Sequence, residues 1–171
     1  MANRIRLIFF SFLVIGIGIW GIHYFQHSTF QKAFEKDYGA GAKMLEMIPA
    51  GKSKLIIYDH NQEIRAVGYT KSILGWVKKS EGTPSIKNNE TFRLDNINTI
   101  SVEDRHFLFG YVDSKQIKSI RFKTDDFLVQ YNVHSYYWYL PIFNKKDTSF
   151  EANQFSVILK NGKEIFYPFE H

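Results

Sequence analysis

From Leu7 to Phe25 the chain reads LIFFSFLVIGIGIWGIHYF, 19 residues without Asp, Glu, Lys or Arg. As a helix this run is about 28 Å long, which matches a bilayer hydrocarbon core of roughly 30 Å. Twelve of its residues are Leu, Ile, Val or Phe. At about −0.3 to −0.6 kcal/mol each they favour insertion by about −4 to −7 kcal/mol at most. Gly16, Gly18, Gly21 and His23 erode that figure without reversing it. A buried core helix of a soluble domain would be shorter and would carry a polar stripe. The run is therefore read as a transmembrane anchor.

Its flanks give it a direction. Arg4 and Arg6 are the only charged side chains among the first 25 residues, and basic residues stay on the cytoplasmic side. Trp20 and Tyr24 lie at the other end, where amphipathic rings settle among headgroups. The expected topology is a single pass through the cytoplasmic membrane, with the N-terminus inside and the C-terminal domain outside. A cleaved signal peptide shares the basic start and apolar run. Against it, no small-x-small site closes the run, and Ala40-Gly41-Ala42 lies about fifteen residues beyond it. The glycines lack GxxxG spacing, so they do not specify helix pairing.

Of the 171 residues, removing the first 25 leaves about 146, the size of one domain. Sixteen Phe, ten Tyr and three Trp favour strands over helices. Of 22 Lys and Arg, the two that precede residue 26 leave 20 against 17 Asp and Glu, a balance of +3. That is too small and too scattered to argue for nucleic acid. There is no cysteine, so disulfides, thiol catalysis and thiolate zinc sites are excluded.

Three regions are expected: a cytoplasmic tip and anchor over 1–27, a helical stalk over 28–50, and a β-rich extracytoplasmic domain over 51–171. Ser28 and Gln31 have capping-box spacing, which predicts a helix from Thr29 to Asp37 with Phe30, Phe34 and Tyr38 on one stripe. Gly39 and Gly41 interrupt it. A further helical turn or two is predicted over Ala42–Ile48, ending before Pro49.

Strands are predicted at Lys54–Tyr58 and Ile64–Thr70 around a hairpin loop, then at Ser72–Lys79, with a long connection marked by Gly82, Pro84, Asn88 and Asn89. Further strands follow at Asn98–Val102, His106–Val112, Ile117–Lys123 and Leu128–Asn132. Tyr136–Leu140 is an aromatic strand stopped by Pro141, with a polar loop at Asn144–Asp147. Gln154–Lys160 and Lys163–Tyr167 flank Asn161-Gly162, which suits a two-residue type I′ hairpin. The fold class is mainly β, a single antiparallel sandwich or curved sheet behind one transmembrane helix and a short helical stalk.

Chemistry is sparse. His23, His27, His60, His106, His134 and His171 show no metal-ligand spacing, and HExxH is absent. Glu103-Asp104-Arg105-His106 is the densest polar cluster and the only candidate for acid–base work. Between two strands, however, it reads as a tight turn, and adjacent strand residues face opposite sides. Asp125-Asp126 reads as a hairpin tip. No nucleophile elbow, phosphate loop or dinucleotide fingerprint occurs, and no cofactor or metal is implied.

Tyr136-Tyr137-Trp138-Tyr139 is the most unusual stretch. Alternation places Tyr136 and Trp138 on one face and Tyr137 and Tyr139 on the other. One pair then faces away from the core unless something, such as the stalk helix, covers it. Tyr137, Trp138 and Tyr139 are the candidate binding residues, since aromatic rings with polar handles suit a glycan or a partner protein.

From Lys54 onward, LIIYDHNQEIRAVGYTKSILGW, then FGYVDSKQIKSIRF, an aromatic strand and VILKNGKEI follow in order. This arrangement resembles the small membrane-anchored or exported β-domain proteins of spore-forming Firmicutes, a largely uncharacterised group. The matching positions are Gly75-Trp76, Phe109-Gly110, Asp113, Ile117 and Ile120. The resemblance implies an extracytoplasmic β-domain of a Gram-positive bacterium and carries over no catalytic residue.

The expected role is a tethered binding or accessory protein, not an enzyme. Its partners would be the lipid bilayer and an envelope protein or wall glycan. The rivals are a wall-directed hydrolase using Glu103, Asp104 and His106, and a membrane-complex subunit assembled through its anchor.

Overall fold

The computed structural model describes residues 2–86, 97–124, 127–142, 151 and 153–167, with side chains from residue 9 onward. Asn88, Asn89, Asp125-Asp126, Asn144–Asp147 and His171, read above as connections, turns and a terminus, lie outside the described residues.

Helix α1 (Ala2–His27) contains the apolar run. From Phe9 to Gln26 none of its side chains is buried against the rest of the chain; His27, at its end, is. Helix α2 (Phe30–Tyr38) follows after a two-residue break. Its cap sits one residue later than the capping-box spacing predicts. Thr29 Oγ1 accepts from the Lys32 N–H at 3.3 Å, while Ser28 Oγ turns back to donate to the Phe25 carbonyl at 3.0 Å. Gln31 does not reach back to the cap; it donates to Glu35 at 2.9 Å. Gly39, at φ 70°, ends the helix, a conformation glycine adopts without steric cost.

Residues Lys43–Ala50 form strand β1, not the helical turns predicted for Ala42–Ile48. Helix propensity in Lys-Met-Leu-Glu-Met is high, but so short a helix is marginal without tertiary support. Pairing with β2 (Ser53–His60) supplies that support to a strand instead. Pro49 is tolerated because β1 is the sheet edge. The region 28–50 is thus one helix plus a strand that belongs to the β-domain.

Strand β2 turns into β3 (Glu63–Ser72) through Asn61 and Gln62, at φ 52° and 64°. These are the left-handed values that a two-residue type I′ hairpin requires. The predicted strand Ser72–Lys79 is split. Ser72 ends β3, Ile73-Leu74 form a turn, and β4 runs Gly75–Glu81. Ser72 Oγ stabilises this turn by accepting from the Leu74 N–H at 3.2 Å and donating to the Gly75 carbonyl at 3.0 Å. The short β5 (Ser85–Ile86) pairs with β3. Sheet A therefore has the order β1-β2-β3-β4.

Sheet B consists of β6 (Asn98–Val102), β7 (Arg105–Tyr111) and β10 (Tyr137–Ile142), ordered β10-β7-β6. Strand β10 does not stop at Pro141, which pairs opposite Phe107; as an edge strand β10 can accommodate the missing N–H. Sheet C contains β8 (Ile117–Lys123), β9 (Leu128–Asn132), β11 (Phe155–Leu159) and β12 (Glu164–Phe166), ordered β12-β11-β8-β9. Of the Asn161-Gly162 pair only Gly162 is left-handed, at φ 88°. The Leu159 carbonyl accepts from the Gly162 N–H at 3.0 Å, and its N–H donates to the Lys163 carbonyl at 2.8 Å. The hairpin is therefore closed by a three-residue loop rather than a type I′ turn.

Three apolar clusters separate the layers. Phe30, Ala33 and Phe34 of α2 cover Ile56, Tyr58, Val67 and Tyr69 on one face of sheet A. Leu55, Ile57, Ile64 and Ala66 on its other face meet Ile100, Val102, Phe107 and Phe109 of sheet B. Leu108, Trp138, Leu140 and Ile142 on the opposite face of sheet B meet Ile120, Phe122, Phe155 and Val157 of sheet C. The protein is mainly β, with antiparallel sheets behind an apolar helix and a short second helix.

Phe34 lies edge-on to Tyr58, with ring centroids 5.3 Å apart. Phe34→Ala should cost about 3–5 kcal/mol, in the range for truncating a buried Phe. Urea unfolding of the detergent-solubilised chain measures it; a change under about 1 kcal/mol would mean that α2 is not part of the folded domain.

Candidate functional site

Three sheet edges converge where β1, β9 and β10 meet. The register of β1 on β2 shifts between Met44 and Glu46, so Leu45 is the extra residue of a bulge. Bulges bend a strand and re-aim its side chains. Here Tyr137 Oη donates to Glu46 Oε2 at 2.8 Å. Tyr139 packs beside Tyr131 of β9, with ring centroids 5.3 Å apart. Tyr136 Oη donates to Asp59 Oδ2 at 3.0 Å.

Within β10 the side chains alternate as expected, Tyr137 and Tyr139 on one face and Trp138 on the other; only Tyr136 departs from that pattern. Trp138 points into the core between sheets B and C, 1% exposed, with Nε1 donating to the Tyr111 carbonyl at 3.2 Å. It offers no surface to a ligand and drops out of the binding set. Tyr136 precedes β10, so strand alternation does not bind it, and it joins Tyr137 and Tyr139 on the sheet A side. Those three rings are half-buried. What covers them is the β1 edge, through Leu45 and Ile48, and not α2, which occupies the opposite face of sheet A.

Tyr139 also lines a groove of about 520 Å³ with Ile48, Pro49, Asp104, Arg105, His106 and Pro141. Arg105 Nη1 donates to the Pro49 carbonyl at 3.3 Å, tying the β6–β7 turn to β1. His106 Nδ1 shares a 2.7 Å hydrogen bond with Ser101 Oγ. A planar ring, apolar walls, an exposed Arg and a half-buried His form a surface able to stack on and hydrogen-bond a polyhydroxylated or peptide ligand. A second hollow, of about 610 Å³ on sheet C, is polar. Its Arg121 is already engaged by Gln130 at 2.7 Å and by Glu164 at 3.4 Å.

Glu103 and Asp104 form the turn between β6 and β7, with Glu103 at φ 56°. Glu103 Oε1 accepts from Ser53 Oγ at 2.5 Å, so this carboxylate braces two turns against each other. Among the described residues no cluster of three or more His, Asp or Glu is placed to hold a metal. Trp20 and Tyr24 stack on α1 with centroids 5.5 Å apart, and Arg4 and Arg6 lie at its start. Glu46 and Tyr131 join the site although the sequence alone does not point to them. The available signal was a lone carboxylate within Met44-Leu45-Glu46-Met47-Ile48, masked by the helical reading of that stretch.

Burial, with the Glu46 carboxylate nearby, pushes Tyr131 up to about 12. Burial and Glu46 also raise Tyr137 and Tyr139, while burial and the hydrogen bond to Asp59 raise Tyr136. No family model, curated protein or solved structure matches the chain.

These shifts carry a pH signature. A phenol whose folded pKa lies above its ordinary value of 10 contributes stability that is complete below pH 10. That stability is lost as pH rises, for Tyr131 through about 12. Near-ultraviolet tyrosinate absorbance should therefore show late-ionising tyrosines that titrate together with loss of near-ultraviolet circular dichroism. Ionisation of every tyrosine near pH 10 with the fold intact would contradict the burial described.

Proposed function

We propose that the chain is a membrane-tethered binding or accessory protein of the outer face of a Gram-positive cytoplasmic membrane, and that the β1–β10 groove receives its ligand. The observation that carries the tether is the state of α1. Its apolar span is wholly exposed, yet its last turn is built into the domain. His27 Nδ1 donates to the Trp76 carbonyl at 2.9 Å, and Lys36 Nζ donates to His27 Nε2 at 2.8 Å. Lys32 Nζ stands 3.5 Å from the centroid of the Phe25 ring. A segment destined for removal has no reason to supply contacts to the mature fold, so these favour a retained anchor over a cleaved signal. Arg4 and Arg6 favour the orientation with the domain outside.

The groove lies at the junction end of the sheets. Its Pro49 and Arg105 adjoin the turns braced by the Ser53–Glu103 hydrogen bond, and Ser53 pairs with Thr70 near the end of β3. A ligand there is held close to the membrane, which suits an envelope glycan or protein segment at its surface. The hydrolase reading keeps Asp104 and His106 in the lining of the same groove, but it is weaker because Glu103 is committed to Ser53 and His106 to Ser101.

Two measurements test this. The full chain, tagged at its C-terminus, should resist carbonate extraction and be digested by protease added to protoplasts. A shortened soluble product would mean a cleaved signal, and a protected domain would mean the opposite orientation. On isolated wall glycan, Tyr139→Ala should lower retention by up to about tenfold, as expected for losing one stacking contact. Equal retention of both proteins would remove the groove as a glycan site.

A further inference from the structure

The tip of the β3–β4 hairpin is made of Ile73 and Leu74, which are 93% and 38% exposed. Tight turns ordinarily take Gly, Asn, Asp or Ser, which either tolerate the turn backbone or hydrogen-bond to it. An isoleucine there gains nothing from the core, and its branched side chain does not favour the turn. Single exposed apolar residues are common on protein surfaces; the position of this pair is what distinguishes it.

The tip adjoins the place where α1 leaves its apolar run. Gly75, the residue after Leu74, lies against the backbone of His27. At φ 105° it occupies a conformation that side chains rarely adopt, and any Cβ there would collide with the His27 carbonyl. The next residue, Trp76, accepts the His27 hydrogen bond. The Phe9–His27 span is otherwise unburied. With α1 in a bilayer, the part of the domain nearest the membrane plane is therefore the hairpin end around Gly75.

Charge on that rim is suitable for a lipid surface. Lys71 flanks the tip, and its N–H donates to the carbonyl of Lys52 in the neighbouring β1–β2 turn at 3.4 Å. Both lysines are exposed. Glu103, whose carboxylate lies against Gly51 of that turn, accepts from Ser53 and keeps its negative charge beside the two lysines.

We propose that Ile73 and Leu74 enter the boundary between headgroups and acyl chains as a second membrane attachment, with Lys52 and Lys71 meeting anionic lipid phosphates. Apolar side chains at the acyl boundary beside basic ones among the headgroups are the general chemistry of interfacial binding. The inference rests on the anchor reading and adds to it. The domain is held at the surface at two points and keeps one attitude instead of swinging from a stalk.

The absence of cysteine makes each introduced thiol unique. The full chain carrying Ile73→Cys, labelled with an environment-sensitive fluorophore, is reconstituted into phosphatidylcholine–phosphatidylglycerol vesicles containing shallow or deep spin-labelled lipid. Ile15→Cys reports on the anchor, and Lys163→Cys on the water-exposed β11–β12 loop. The label at 73 should be quenched several-fold more by shallow lipid than the label at 163, and the label at 15 should be quenched by deep lipid. To exclude insertion driven by the dye, the label is moved to Lys71→Cys, where adding Ile73→Glu should abolish the quenching. Quenching at 15 with none at 73 or 71 overturns the second attachment and leaves the anchor standing. No quenching at 15 overturns the anchor reading itself.

Discussion

Burial of sheet A on both faces is the constraint on which the other features depend, because β2 and β3 send alternate side chains to two different partners. Leu55 and Ile57 go to sheet B, while Ile56 and Tyr58 go to α2. A strand with one wet face would alternate apolar and polar residues; Leu55-Ile56-Ile57-Tyr58 is a continuous run because neither face is wet. The α2 side is sealed by rings with polar ends. Tyr69 Oη donates to Asp37 of α2 at 2.6 Å, so the helix is positioned by a hydrogen bond as well as by packing, while Tyr58 Oη donates to Glu81 of β4 at 3.2 Å. Burial, reinforced by the charge of Glu81, pushes Tyr58 up to about 12, and burial with the bond to Asp37 raises Tyr69 further.

The seal on the other face leaves β1 as an edge strand, and that edge builds the groove. Bulging at Leu45 brings Glu46 to the tyrosines of β10, and Arg105 ties the groove's rim to β1 by bonding to the Pro49 carbonyl. Sheet C covers the remaining face of sheet B and fixes β10 by burying Trp138 against Phe155, with ring centroids 5.6 Å apart. Tyr137 and Tyr139 are consequently held on a strand whose other face is immobilised, which gives the site a rigid backing.

The parts legible in the sequence were those governed by local composition. The apolar run of α1, the fourfold spacing of Phe30, Phe34 and Tyr38, and the β-branched and aromatic content of β2, β3, β7 and β8 each carried its own signal. The misread parts were decided by tertiary contacts. Lys43–Ala50 has helix-forming residues and became a strand because β2 offered an edge. Ile73-Leu74 looks like strand and is a turn, because Ser72 and a positive-φ Gly75 permit one and α1 occupies the space beyond. The site suffered most. Residue propensity places Glu46 in a helix, and alternation alone does not reveal the third sheet that covers Trp138.

The break between α1 and α2 then determines how the domain sits relative to the apolar helix. Only Ser28 and Thr29 separate the two helices, and both hydroxyls are occupied, Ser28 with Phe25 and Thr29 with Lys32. A flexible tether would need a longer, uncapped, Gly- or Ser-rich link. Here α2 is clamped to sheet A by Phe30, whose ring lies edge-on to both Tyr69 and Trp76, and α1 is clamped through His27 to the same Trp76. One residue of β4 thus receives both helices. Displacing either helix would expose the Phe30 ring and leave the His27–Trp76 hydrogen bond unmade, so the direction of α1 and the attitude of the groove change together or not at all.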